Sequence, residues 1–201
     1  MPRVSLAVLF VAVQFADILW PVLVALGLEQ VRIDPGNTAM TPLDFVSYPI
    51  SHSLLTLLIW GLLLAWAYRL IAGNGRIFAV LVALVVSHWV LDAISHRIDM
   101  PIYPGGPKVG LLLWNSIPAT VAVEGAMFTA GVWIYARATR PTAGIGRWGL
   151  VALVALLVLA YASAIGSPPP PSVTAVWVVS LLGAALGTLF SWWIDRHREP
   201  T

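Results

Sequence analysis

The chain has 201 residues, of which 59% are hydrophobic and only 10% charged, with a mean hydropathy of +0.87. A soluble domain carries roughly 25% charged residues, so this chain cannot cover itself with polar surface and reads as an integral membrane protein. The net charge of +2, the absence of cysteine and the scatter of Arg and Lys over loops exclude a basic nucleic-acid stripe, a disulfide framework and thiolate metal sites.

Long unbroken apolar runs without a ten-residue alternation indicate helices rather than a barrel. About 20 apolar residues cross a bilayer, and the expectation is an all-α polytopic bundle of about six spans forming one membrane domain over residues 1–201. The first span, at 4–27, follows Arg3 and carries Gln14 and Asp17. It is too long for a secretory leader and has no small-residue cleavage pattern before Gly27, so it is expected to be retained. A loop from Leu28 to Pro49, with Glu29, Arg32, Asp34 and Asp44, leads to the second span at 50–71. Gly73-Asn74-Gly75 marks a tight turn into the third span at 76–97. A second long loop, Ile98 to Ser116, carries Pro101, Pro104, Gly105-Gly106-Pro107 and Lys108. Spans at 117–137, 147–166 and 172–194 follow, separated first by Arg140-Pro141 and Gly144 to Gly146, then by the prolines between Ser167 and Ser172. Trp20, Trp114, Trp148, Trp192 and Trp193 fall near span ends, as expected of interfacial anchors.

Basic residues set the expected orientation. With six spans both termini share one side, which collects Arg3, Arg69, Arg76, Arg137, Arg140, Arg147, Arg196 and Arg198; the other side holds Arg32, Arg97 and Lys108. The excess places both termini in the cytoplasm and turns the two long loops outward.

Ionisable residues inside the spans are the main functional signal. A charge at the bilayer centre costs at least ~2.5–3.5 kcal/mol on insertion scales. At 1.5 Å per helical residue, Asp17 lies ~15 Å, His88 ~13 Å, Asp92 ~7 Å and Glu124 ~10 Å below the outer ends of their spans. His52 opens the second span at its outer mouth. Four spans thus place ionisable groups in one outer-leaflet layer.

His88, Asp92 and His96 are spaced four apart, which stacks them on one helix face with Cβ atoms ~5–6 Å apart. Two such side chains can share a cation. Imidazole with carboxylate suits a divalent transition metal, zinc above the others. His52, His88, Asp92 and Asp17 are the expected ligands, and Asp17 is alternatively the group that orients a water. Glu124 is the expected general base. His96, Arg97 and Lys108 are expected at the rim, toward the substrate. Serines 51, 53, 87 and 95 flank the histidines; most are expected to pack, although one could orient an imidazole. A Ser–His–Asp nucleophile ranks below a metal, because no G-x-S-x-G elbow is present and adjacent Ser–His pairs point to opposite helix faces. Two further readings remain open: a proton- or cation-coupled transporter using the same groups, and a scaffold whose polar layer only glues helices.

At Ile50-Ser51-His52-Ser53-Leu54 and Ser87-His88-Trp89-Val90-Leu91-Asp92 the chain resembles a bacterial inner-membrane family described as metal-dependent hydrolases and regulated with the DNA-damage response. Its members show T-H-S-L opening a span and S-H-x-x-x-D near a span end, followed by a short proline-flanked segment like Ala93 to Pro104 here. The resemblance covers roughly 17–114. It implies His52, His88 and Asp92 as metal ligands, with Asp17 at an acidic position upstream. The family's D-x-D-H pattern reads Asp17-Ile18-Leu19-Trp20 here, and Ser47-Tyr48-Pro49 stands in place of H-R-G, which removes one ligand position. The resemblance implies a hydrolase of the bacterial plasma (inner) membrane and lends no substrate; the depth of the ionisable layer, just below the outer face, suits an ester or phosphoester, with a lipid as one candidate.

Overall fold

The computed structural model describes residues 4–73 and 75–201; Arg3, used in the orientation argument, and Asn74, at the expected tight turn, lie outside the described residues. The protein is all-α in its architecture, and its helices follow from short capping signals between apolar runs. Five helices are long and apolar enough to cross a membrane: α4 (Leu54–Ala72), α5 (Phe78–Ser95), α6 (Ile117–Ala138), α7 (Gly144–Gly166) and α8 (Val173–Asp195). Ser53, Ser116 and Ser172 cap α4, α6 and α8, each side chain accepting from the amide three residues on. Gly73 closes α4 in the left-handed conformation, φ 64°.

The first span is where a continuous helix gives way. It comprises α1 (Leu6–Val13) and α2 (Phe15–Ala25), which meet at Gln14 at an angle of 56°. Pro21, inside α2, has no N–H to return to the Asp17 carbonyl, which loosens this segment further. Counting the bent pair as one span gives six. The second expected span also starts differently. A four-residue helix, α3 (Pro49–His52), precedes α4, and the chain is extended at Ser53 between them.

Small residues draw the first helices together. Ala12, Ala16 and Ala65 are fully buried with Leu57, Leu81 and Val85. A Cβ on Gly61 would stand 3.3 Å from the Val82 main chain, so α4 and α5 approach to the limit that glycine allows. α1 and α2 pack on α5 and α8. α6 is different: Thr120, near its N-terminal end, is its one buried residue among those described. A cavity of about 730 Å³ lies between α6 and the helices opposite.

Short antiparallel strand pairs, two of them hairpins, which the apolar-run reading does not anticipate, order the connections. β1 (Gln30–Ile33) pairs antiparallel with β2 (Leu43–Ser47), Arg32 opposite Asp44. β3 (Met100–Pro101) pairs with β4 (Lys108–Val109), and β5 (Thr139–Pro141) with β6 (Arg198–Pro200). A second buried cluster of Trp20, Val24, Val31, Tyr48, Met100 and Val176 fastens the first two strand pairs to the C-terminal end of α2 and the N-terminal end of α8. Gly110 sits so close to the Arg97 carbonyl that any side chain there would collide with it, which seats the second long loop on the end of α5.

Candidate metal centre

Three separated pieces of chain converge just beneath the two hairpins. α2 supplies Asp17, α3 supplies His52, and α5 supplies His88 and Asp92. Ligand atoms of Asp17, His52 and His88, one from each, all lie within 4.8 Å of one another. Asp17 Oδ1 is 3.5 Å from His52 Nε2 and 3.7 Å from His88 Nε2. Asp92 Oδ2 is 3.7 Å and 3.2 Å from the same two nitrogens. The imidazole centroids are 5.4 Å apart.

The protons of the two histidines can be assigned from their other nitrogens. His88 Nδ1 faces the Val13 main-chain carbonyl at 2.9 Å. A carbonyl only accepts, so Nδ1 carries the proton and Nε2 of the neutral ring presents a lone pair. Val13 is the last residue of α1, so the bend in the first span places this acceptor.

His52 is held by a longer relay. Its Nδ1 is 2.7 Å from Ser51 Oγ, and Ser51 Oγ donates to Glu29 Oε2. The single hydroxyl proton is committed to Glu29, so His52 Nδ1–H donates to Ser51, and Nε2 again presents a lone pair. Glu29 is 1% exposed and also accepts from the amides of Ile50 and Ser51, at 2.8 and 2.9 Å. It therefore caps α3 from 21 residues away, in place of the missing side-chain cap at Tyr48. α3 is held from its other side as well, by the Trp60 indole donating to Ile50 O and the Thr56 hydroxyl to Pro49 O.

Two lone pairs thus face two carboxylates with no proton assigned between them. His88 Nε2 is buried and makes no aligned hydrogen bond, although Asp92 Oδ2 is only 3.2 Å away. Neutral imidazoles cannot satisfy carboxylates in this way; a second proton on each ring would do so pairwise, and one shared cation would do so for all four groups at once. Two ligand atoms ~2.0–2.1 Å from a tetrahedral zinc stand ~3.3–3.4 Å apart, close to the 3.2–3.7 Å separations here. Metal-binding histidines characteristically donate their second ring N–H to a carboxylate or a main-chain carbonyl; His88 does so to Val13, and His52 does so through Ser51 to Glu29. The residues present fit a divalent transition ion. The group is open toward Asp17, whose side chain is 49% exposed against 5% and 9% for His52 and His88.

The remaining sequence-derived candidates are placed around this centre in different ways. His96 is buried one layer out. Its Nδ1 donates to Asp99 Oδ1 at 3.2 Å, and its ring lies tilted by 36° against Trp114 with centroids 4.3 Å apart. The Tyr48 hydroxyl donates to the same Asp99 oxygen at 2.9 Å, and burial together with Asp99 keeps that phenol well above its ordinary pKa, a permanent donor. Arg97 pairs with Asp44 at 2.8 Å, and Asp44 also takes Arg32 at 2.6 Å, so this chain of charges laces β2 to the second loop. Lys108 is exposed on β4. Glu124 lines the cavity, its Oε1 accepting from the Trp114 indole at 3.2 Å, with no ion pair to the histidines among the described residues.

Two findings correct the reading of the serines. Ser51 and His52 are neighbours in sequence yet do meet, because α3 is a single turn that ends at His52. Ser51 stands between the acid and the histidine and gives its proton to Glu29, so it orients the imidazole and is not set up as a nucleophile. Ser53 caps α4, and Ser87 bonds the Leu84 carbonyl of its own helix.

Comparison with family models, curated proteins and solved structures returns no match to this chain. The functional reading therefore stands on the geometry just described.

Proposed function

We propose that this multi-pass membrane protein is a metal-dependent hydrolase of an ester or phosphoester, working near the outer face of a bacterial plasma membrane with both termini in the cytoplasm. The observation that carries the reading is the pair of buried imidazoles whose Nδ1 protons are committed elsewhere while both Nε2 atoms face Asp17 and Asp92. His52, His88 and Asp92 are the holding set, which leaves a fourth position for water, and Asp17 is either a further ligand or the group that orients that water. Two histidines with carboxylate oxygens is a donor set that favours zinc among the available ions. When bound, such an ion supplies Lewis acidity and a water of lowered pKa.

The chain's own residues supply the rest. Glu29 and Ser51 fix the tautomer and direction of His52, and Val13 does the same for His88. Asp17, on the open side, meets the incoming group first; it is positioned to orient a water and take its proton, as a general base must be within hydrogen-bond reach. Glu124, held by Trp114, is too engaged with the cavity to be assigned that role. The hairpins above the centre restrict entry from the aqueous side, since Arg32, Asp44 and Arg97 tie them together.

Metal analysis of the purified protein tests the reading. About one transition-metal ion per chain is expected, lost in His88→Ala and in His52→Ala. Absence of stoichiometric metal, or unchanged content in His88→Ala, overturns it. Ion flux into proteoliposomes that is lost in Asp17→Asn would replace it with a transporter.

A further inference from the structure

The cavity between α6 and the facing helices has a composition and position that helix packing does not explain. It is long: its lining on α6 runs from Glu124 to Tyr135 and on α7 from Leu150 to Tyr161, roughly 16 Å along each at 1.5 Å per residue. Its volume of about 730 Å³ falls within the ~300–1,000 Å³ of small-molecule sites. The walls are apolar, built from side chains such as Leu9, Phe10, Phe128, Leu153 and Leu157.

Glycines make the room. Gly125 and Gly131 line the cavity, and a Cβ on either would meet nothing within 4 Å. Gly61, by contrast, is filled against Val82, and Gly187 against the Phe10 ring at 2.9 Å. Glycine in a membrane helix ordinarily buys close helix approach; on α6 no neighbour uses the space.

The polar groups of the cavity sit at its two ends. Tyr135 at the inner end donates to Asp195, which also accepts from the Leu6 amide, so that end is closed by groups bonded to one another. At the other end Gln14 and Glu124 enter the lining, and the Tyr161 hydroxyl is buried beside Glu124 without an aligned hydrogen bond. This upper end includes Val13, whose carbonyl holds His88. The cavity therefore reaches Val13, one helical turn of sequence from Asp17 and hydrogen-bonded to His88.

We infer that the cavity is a chamber for the acyl chain of an amphiphilic ester or phosphoester whose head reaches the Asp17–His52–His88–Asp92 centre. The head placement rests on the hydrolase reading; the chamber itself rests on the cavity. Apolar walls exclude a polar ligand, and a length of about half the membrane with polar groups at the metal end suits a chain anchored by a head group. Glu124 and Tyr161 are positioning residues at the junction of chain and head.

The experiment uses the full chain in nanodiscs of phosphatidylethanolamine and phosphatidylglycerol doped with a phospholipid carrying a photoactivatable diazirine in one acyl chain. After irradiation, labelled peptides are mapped by mass spectrometry. Labelling of Phe128, Leu153 and Leu157 is expected at or above that of outward-facing Leu62 and Leu159. Gly131→Leu and Gly125→Leu, each tested separately, are expected to cut the interior labelling at least fivefold while leaving Leu62 and Leu159 labelling and metal content as in the parent protein. Label confined to outward-facing residues, or interior labelling unchanged in whichever glycine variant folds, overturns the chamber. The two readings separate cleanly: interior labelling in a protein that holds no metal keeps the chamber and removes the hydrolase, and a metal-loaded protein without interior labelling does the reverse.

Discussion

Two histidine–carboxylate groups lie one layer apart in this protein, and they differ in how their protons are accounted for. In the outer group His96, Asp99 and Tyr48 satisfy one another: the imidazole and the phenol both donate to one Asp99 oxygen. In the inner group His52 and His88 donate outward, to Ser51 and Val13, and turn bare nitrogens toward Asp17 and Asp92. The first is a closed hydrogen-bond network of the kind that rigidifies a core. The second lacks a donor between its facing nitrogens and carboxylates, a place that a shared cation would fill. The lesson is that proximity of His and Asp alone does not separate a candidate metal centre from a closed network; the partners of the remote ring nitrogens do.

The largest effects should fall on the inner group. His88→Ala and His52→Ala are each expected to drop bound metal to background, measured by elemental analysis, with secondary structure retained by circular dichroism. Retained metal in both variants would erase the distinction between the two groups. Next come the residues that aim the imidazoles. Ser51→Ala and Glu29→Gln leave all four candidate ligands in place yet are expected to weaken metal affinity by ~10–100-fold, as loss of a ligand's hydrogen-bond partner typically does; competition against a chelator measures this. An unchanged affinity would show that the Glu29–Ser51–His52 relay serves only to cap α3.

The outer group should respond in the opposite sense. Tyr48→Phe and His96→Ala are expected to leave metal content intact and to lower thermal stability in detergent by ~1–3 kcal/mol, because Asp99 is buried and loses a donor. Loss of metal in His96→Ala would merge the two groups into one site. The smallest effect belongs to Arg97→Ala. Its side chain is 36% exposed and Asp44 keeps Arg32, so the cost should stay under ~1 kcal/mol, read from the same melting curves.

Much of the scaffold was legible from apolar run length alone. The fourth span was expected at 117–137 and forms α6 at Ile117–Ala138; the third, expected at 76–97, forms α5 at Phe78–Ser95. What hydropathy could not register were interruptions of one residue. A window averaged over the first span hides the bend at Gln14, which has no glycine or proline beside it, and one averaged over the second hides the extended residue at Ser53. Those two breaks are what bring Val13 to His88 and turn His52 inward. The first hairpin did carry a signal: Asp34-Pro35-Gly36-Asn37 between apolar residues is a turn sequence, and Gly36 adopts φ 94° there.

The candidate site was legible in part for a similar reason. Spacing along one helix pairs His88 with Asp92, and depth along the membrane normal adds Asp17 and His52. Depth does not give angle around the bundle. Glu124 shares the layer but faces Trp114 and the cavity instead of the histidines. Glu29 gave no signal at all, since a loop glutamate 21 residues from the amides it binds looks like any solvated charge. The flanking serines carried a further signal: one of them was expected to be able to orient an imidazole, and Ser51 does so for His52.

The central claim is that one ion is shared by imidazoles from α3 and α5. Zinc K-edge X-ray absorption on the purified, zinc-loaded protein tests it most directly. Four ligands at ~2.0–2.1 Å, with multiple-scattering features of two imidazoles, are the expected result, and one imidazole should vanish from the spectrum in His52→Ala if any metal is retained. A spectrum of oxygen ligands without imidazole, or one unchanged by substitution of His52, would contradict the account.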